Sequence, residues 1–304
     1  MVLDRRPPFE VTELPGRGKG LVATHQIKQG QLIMTEKPLF ILPNAISSSP
    51  TKLLNDVTSQ LTPFEHAQYF NLSYPSHVVS SPDEVALSIF MTNAIAAGED
   101  EAGIFPVTAR LNHGCSRAFN VVYHWREEKH ELVVHALRDI EPGEELLTTY
   151  TDTKKPRAVR REYLSQHYHF QCNCAVCSLP DNESQKSDDR LVRYAENRLA
   201  LSSWASGRIG GVDAIRLVKE IWSIGQEEGY LSERGQLALD AAYVCAAHTD
   251  VEAFKAWIRL AIKWTAIELG RDDEKVAGLK ALSDRPESHP EWNTRPHLIL
   301  PLLQ

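Results

Sequence analysis

From residue 7 to about 41 the apolar residues fall in short runs broken by glycine and proline. Leu21-Val22-Ala23 is one such run. Ile27-Lys-Gln-Gly30-Gln-Leu-Ile33 reads as strand, turn, strand. Gly16, Gly18 and Gly20 stand at alternate positions before them, and residues 43–50, with two prolines and three serines, read as a loop. Over 51–97 the spacing becomes helical. Thr62-Pro63 and Ser81-Pro82 each set a capping hydroxyl ahead of a proline and then acidic residues, which marks a helix start. Residues 82–97 carry Val85, Leu87, Ile89, Phe90 and Ile95 and predict one buried helix.

Strands return over 119–150. Residues 120–125 and 132–137 predict a hairpin across 127–130, and Pro142-Gly143 predicts a turn before a strand over 146–150. Residues 154–168 read as helix. The polar, acidic stretch 181–189 predicts a boundary. Beyond it the spacing predicts helices over 190–205, 211–228, 233–248 and 251–269, with helical character to about 282, paired by short links as in helical repeats. The four-proline stretch 283–304 predicts an irregular tail draped over the body.

This mixture of short strands and helices predicts an α+β fold. With 42% hydrophobic and 24% charged residues over 304 positions, the chain can bury a core and lies outside the disordered range. A formal net charge of −7 argues against direct nucleic-acid binding or attraction to an anionic membrane, since phosphate recognition needs a basic surface. It suits a basic partner. Residues 1–10 lack the apolar core of a secretory signal, and no run approaches the roughly 20 apolar residues that span a bilayer. An intracellular protein, nuclear or cytoplasmic, is expected.

Three of the five cysteines lie in Cys172-Asn-Cys174-Ala-Val-Cys177. In a reducing compartment such spacing favours a metal over disulfides, and zinc with sulfur ligands prefers a closed tetrahedron. The triplet leaves one position open, for which Cys115, Cys245, His167 and His169 are the candidates. Cys245, in Ala-Ala-Tyr-Val-Cys245-Ala-Ala, has the setting of a core residue. Two further segments, Leu111-Asn112-His113-Gly114-Cys115 and Asp139-Ile-Glu-Pro-Gly143-Glu-Glu-Leu-Leu-Thr-Thr-Tyr150, are unremarkable singly: a turn with a satisfied histidine, and a turn leading into a strand.

In order along the chain these segments resemble the SET methyltransferase family, in its split-SET branch of SMYD-like and fungal SET5-like proteins. Gly16-Arg-Gly18-Lys-Gly20-Leu21 resembles the first cofactor loop, Arg110-Leu-Asn112-His113-Gly-Cys115 the NHSC segment, Gly143-Glu-Glu-Leu-Leu-Thr-Thr-Tyr150 the GEEL…Y segment, and His169-Phe170-Gln-Cys172-Asn-Cys174-Ala-Val-Cys177 the post-SET cluster. The likeness covers about residues 8–180. It implies S-adenosylmethionine as cofactor, one structural zinc ion, and a protein substrate presenting a lysine, from a histone tail or elsewhere. It implies that Arg17, Gly18, Lys19 and Gly20 line the cofactor, mostly by backbone. Asn93 would contact the amino-acid end of the cofactor, Asn112 and His113 its amino-acid and adenine portions through their backbone, and Phe170 would pack on the adenine. Tyr150 would be catalytic and adjoin the cofactor, Tyr168 would wall the lysine channel, and Cys115 would complete the zinc ligands Cys172, Cys174 and Cys177.

The implied organisation is a SET domain over 7–151 with a helical insert at 44–100, a post-SET zinc segment over 152–180, a helical, tetratricopeptide-like domain over 184–282, and the tail 283–304. Two departures stand out. Gly114 replaces the family's serine, and Ser116-Arg117-Ala118-Phe119-Asn120 lengthens the loop after the cysteine. The cysteine-rich MYND finger is absent, since residues 44–80 hold no cysteine. A second expectation, from a different class, is a catalytically weak SET protein that binds partners through its helical part.

Overall fold

The computed structural model describes residues 7–45 and 49–302. The charged start (1–6), the centre of the serine loop (46–48) and the end of the predicted tail (303–304) lie outside the described residues.

Strand β1 (Phe9–Leu14) turns at Gly16, whose φ of +70° only glycine adopts readily, and pairs antiparallel with β2 (Gly18–Ala23). β2 pairs antiparallel with β10 (Glu145–Thr148), which pairs in parallel with the two-residue β7 (Asn112–His113). The order β1-β2-β10-β7 brings three distant segments side by side: the glycine loop, the Asn112-His113 pair and the strand leading to Tyr150.

The predicted hairpin forms as β8 (Val121–Arg126) and β9 (Glu131–Ala136), with β3 (Leu32–Glu36) on the other edge of β9. A third sheet has the order β4 (Ile41–Pro43), β6 (Glu101–Gly103), β5 (Ile95–Ala96).

The helical insert comprises α1 (Pro50–Ser59), α2 (Pro63–Phe70) and α3 (Val85–Asn93). Thr62 and Glu65 form the reciprocal capping box at the start of α2, and Ser49 caps α1. The helix predicted over 82–97 is shorter: it ends at Asn93, whose side chain bonds the Ile89 carbonyl, and Ile95–Ala96 is extended because it pairs with β6. The strand predicted over 146–150 likewise stops at Thr148.

Helix α4 (Arg157–Tyr168) precedes the cysteine triplet. There is no break over 181–189, because α5 runs unbroken over Asp181–Ser202. Asp181 and Glu183 sit in its first turn, where acids complement the helix dipole, and Ser184 and Ser187 are buried. The hydroxyl of Ser187 donates to Glu228 at 2.6 Å, so the polar stretch is an interface and not a linker. Then follow α6 (Gly211–Glu227), α7 (Arg234–Ala247), α8 (Val251–Leu269) and α9 (Glu274–Asp284).

One apolar core joins α5–α8 to Phe119 and Leu137, so the helical part and the β-rich part share buried surface. Cys245 lies within that core, fully buried on α7. Beyond α9 the chain runs back along the end of α7, with the amides of Asn293, Arg295 and Leu298 bonding the carbonyls of Ala246, Ala247 and His248. Among the described residues no helix is long and apolar enough to cross a membrane.

Candidate active site and metal centre

Cys115 lies just past β7, in the loop that the parallel β7–β10 pairing holds in place. The triplet Cys172, Cys174 and Cys177 follows α4. All four side chains are buried, and their sulfurs lie within 4.8 Å of one another. The Cys115–Cys177 sulfur separation is 3.7 Å. A tetrahedral zinc with Zn–S bonds of about 2.3 Å needs sulfur–sulfur edges of about 3.8 Å. The donor set is therefore compatible with one soft cation. The thiols titrate as a set, and hydrogen bonds from Cys115, Cys172 and Cys177 push Cys174 far below the ordinary thiol range. The other candidate ligands are elsewhere: His167 is exposed, stacked on Tyr163 and bonded to its carbonyl, and His169 is exposed and packs edge-on against His77.

Three arginines of α4 hold this segment. Arg161 donates to the carbonyls of Cys172 (3.1 Å) and Cys177 (2.9 Å), and Arg157 to that of Leu179 (2.9 Å). Arg160 is 1% exposed, bonds the Lys155 carbonyl and pairs with Asp188 at 3.3 Å. Burial, the largest single cause, works against its charge, but Cys115, Cys177 and Asp188 together raise its pKa. Arg160 thus brings a buried positive charge to the neighbourhood of the sulfur cluster.

Beside the cluster opens a cleft of about 540 Å³. Arg17, Gly18, Lys19, Asn93, Asn112, His113, Tyr150, Tyr168 and Phe170 all line it, and so does Cys172. Gly20 does not. It faces inward, where an added Cβ would stand 2.5 Å from Leu14 Cδ1 and 2.9 Å from Asn112 Nδ2. Its part is to let β2 close on Asn112.

Around the cleft the polar groups are tied down. Asn112 Nδ2 donates to Glu145 Oε1 (2.9 Å) and the Lys19 carbonyl (3.3 Å). Arg17 pairs with Glu145 (3.3 Å) and donates to the His113 carbonyl (3.0 Å). Lys19 reaches Asn71 of the insert at 2.9 Å. Asn93 Nδ2 donates to the carbonyls of Ser73 and Ile89.

The His113 ring joins cleft to cluster. Burial, the largest cause, drives its pKa down to about 4, so the ring is neutral. Its Nδ1 accepts from the Tyr150 backbone N–H at 3.0 Å, which puts the proton on Nε2, 3.1 Å from Cys115 Sγ. The ring therefore donates to the sulfur while fixing the backbone of Tyr150. That contact also explains why β10 ends at Thr148: the Tyr150 amide has left the ladder for a side chain.

The Tyr150 hydroxyl donates to the Leu111 carbonyl at 2.6 Å, and its ring lies 4.9 Å from that of Tyr168. Burial raises the Tyr150 pKa, with Tyr168 second, so the phenol stays protonated. Tyr123, on β8, is a third tyrosine of the wall, also raised by burial.

Tyr123 and the α4 arginines escaped the sequence reading. Tyr123 sits in an alternating strand with nothing to set it apart. The arginines at 157, 160 and 161 carry the spacing of one helix face ahead of a cysteine cluster, a signal that was present.

A SET domain is matched over residues 18–151. The chain is 30% identical over 287 residues to the protein "Histone-lysine N-methyltransferase set5" of Schizosaccharomyces pombe, a likeness covering 92% of this chain and 85% of that protein. It is 34% identical over 148 residues to "N-lysine methyltransferase SMYD2-B" of Danio rerio and 31% identical over 146 residues to "N-lysine methyltransferase SMYD2" of Homo sapiens. Each of those two covers 41% of this chain, and the chain spans 33% of their length. With sulfur cluster, cleft and strand order in place, and with likeness sustained along nearly the whole chain, the chain belongs to the SET-domain family.

Proposed function

We infer that the protein is an S-adenosylmethionine-dependent protein-lysine N-methyltransferase with one structural zinc ion. The observation that carries this reading is the convergence, on one cleft, of the glycine loop, Asn112-His113 and Tyr150, with the sulfur cluster bonded to the same histidine.

The sulfonium methyl supplied by the cofactor is already electrophilic, so the reaction needs no covalent enzyme intermediate. The protein's task is placement. Arg17, Gly18, Lys19, Asn93, Asn112 and His113, which line the cleft, would hold the cofactor, and Phe170 would cover its ring system. Lysine arrives protonated, with an ordinary pKa of about 10.4, and must lose a proton before its lone pair can attack. Burial in the channel walled by Tyr123, Tyr150 and Tyr168, with the positive sulfonium close by, would disfavour the ammonium, and the proton would leave to water. Tyr150 is no base, since burial raises its pKa. Its hydroxyl proton is committed to the Leu111 carbonyl, which leaves the oxygen lone pairs to accept from the amine and orient it. When bound, the cofactor would supply its methyl group to the lysine nitrogen and leave as the neutral thioether.

The four cysteines would hold a zinc ion with all four positions filled by sulfur, and the ion would tie the segment carrying Tyr168 and Phe170 to the cleft. The substrate is a histone or another lysine-bearing protein of the nucleus or cytoplasm. Incubation with methyl-labelled cofactor, a histone panel and cell extract should label a lysine. Titration calorimetry that finds no uptake of cofactor by zinc-loaded protein would overturn the reading.

A further inference from the structure

Away from the cleft, a groove of about 400 Å³ lies between α8, α9 and the turn at Gln29-Gly30. Helix α8 gives it Ile262 with Ala266 and Lys263 with Ile267, and α9 gives it Val276 with Lys280, all pairs four apart on a helix face. Arg271, from the link between the helices, is the third cation. The base is apolar and the rim is positive.

No carboxylate lines this groove. Among the described residues Lys263, Arg271 and Lys280 have neither an ion pair nor a side-chain hydrogen bond, in a chain with seven more acids than bases. The neighbouring Asp139 is already bonded to Lys28 and to the Gln29 amide. Three cations from two helices and their link line one concavity without a carboxylate among its lining residues, Lys263 with its Nζ 5.6 Å from the centroid of the Trp264 ring, and together they suit an anion. A guanidinium together with two ammonium groups suits a phosphate, and the apolar lining suits an organic body attached to it. The position also fits: ligand sites favour junctions between structural units, and this groove spans the β-rich and helical parts.

We propose that this groove binds a phosphate-bearing small molecule of about nucleoside-monophosphate size, independently of the methyl-transfer reading. The test is titration calorimetry of the full chain with uridine monophosphate, and with inorganic pyrophosphate as competitor. Saturable binding at one site, displaced by pyrophosphate, is expected. The double variant Lys263→Glu/Lys280→Glu, altered only at exposed positions, should weaken it at least about tenfold. Lys275→Glu, the same charge change on α9 outside the groove, should leave it unchanged. Ala266→Trp, which fills the base, should block it. No saturable binding, equal weakening by Lys275→Glu, or binding that survives Ala266→Trp would each overturn the proposal.

Discussion

Replacing Arg160 by methionine keeps its bulk and deletes its charge. The side chain is 1% exposed and pairs with Asp188 at 3.3 Å. Removing one partner of a buried pair costs about 3–5 kcal/mol. The low end applies here, because Asp188 keeps two bonds at 2.9 Å from the Arg157 amide. The loss at the metal is separate. Zinc with four thiolates carries two negative charges, and close charges at an effective dielectric near 20 interact by a few kcal/mol. Arg160→Met should therefore unfold more readily and hold zinc roughly a hundredfold more weakly. Arg160→Lys should retain most of the zinc affinity, since it keeps the charge. Competition for zinc against a chelating dye, on protein whose fold is verified by circular dichroism, reads the effect. If folded Arg160→Met held zinc as tightly as the unaltered chain, the counter-charge argument would fail.

Other outcomes follow from the same geometry. Tyr150→Phe removes the 2.6 Å bond to Leu111 and should cost about 1 kcal/mol of stability, with methyl transfer impaired but cofactor affinity nearly intact; unchanged turnover in a single-turnover assay would remove Tyr150 from the mechanism. Gly20→Ala drives a methyl group against Leu14 and Asn112 and should lower cofactor affinity by about tenfold in calorimetry, since the asparagine must shift. Glu268 has a buried Oε1 with no hydrogen-bond partner among the described residues, and burial, then the Glu233 charge, raises its pKa to about 7. The folded state thus holds a proton that the unfolded chain releases near 4.5, so this group's contribution to stability is full below that pH and declines as pH rises through about 7. Glu268→Gln should stabilise the protein by about 2 kcal/mol at pH 8 and flatten this decline, as denaturant unfolding at pH 5 and pH 8 would show.

The chain's own pattern determined its local elements and the chemistry it can host. Capped prolines started α2, the period-two runs made β8 and β9, and cysteine spacing specified a soft-metal site, because each is set by residues close together in sequence. Where the reading failed, a distant partner had intervened. Residues 181–189 look like a linker until Ser187 meets Glu228, Ile95 leaves the helical pattern to pair with β6, and Tyr150 leaves its strand for the His113 ring. Local spacing alone left Cys115, His167, His169 and Cys245 open as the fourth ligand and the family resemblance favoured Cys115; the fold brings Cys115 to the triplet, and it alone brings Arg160 and Tyr123 to the site. Backbone propensity and capping act over a few residues, whereas burial, counter-charge and ligand geometry depend on which surfaces the whole fold brings within a few ångströms.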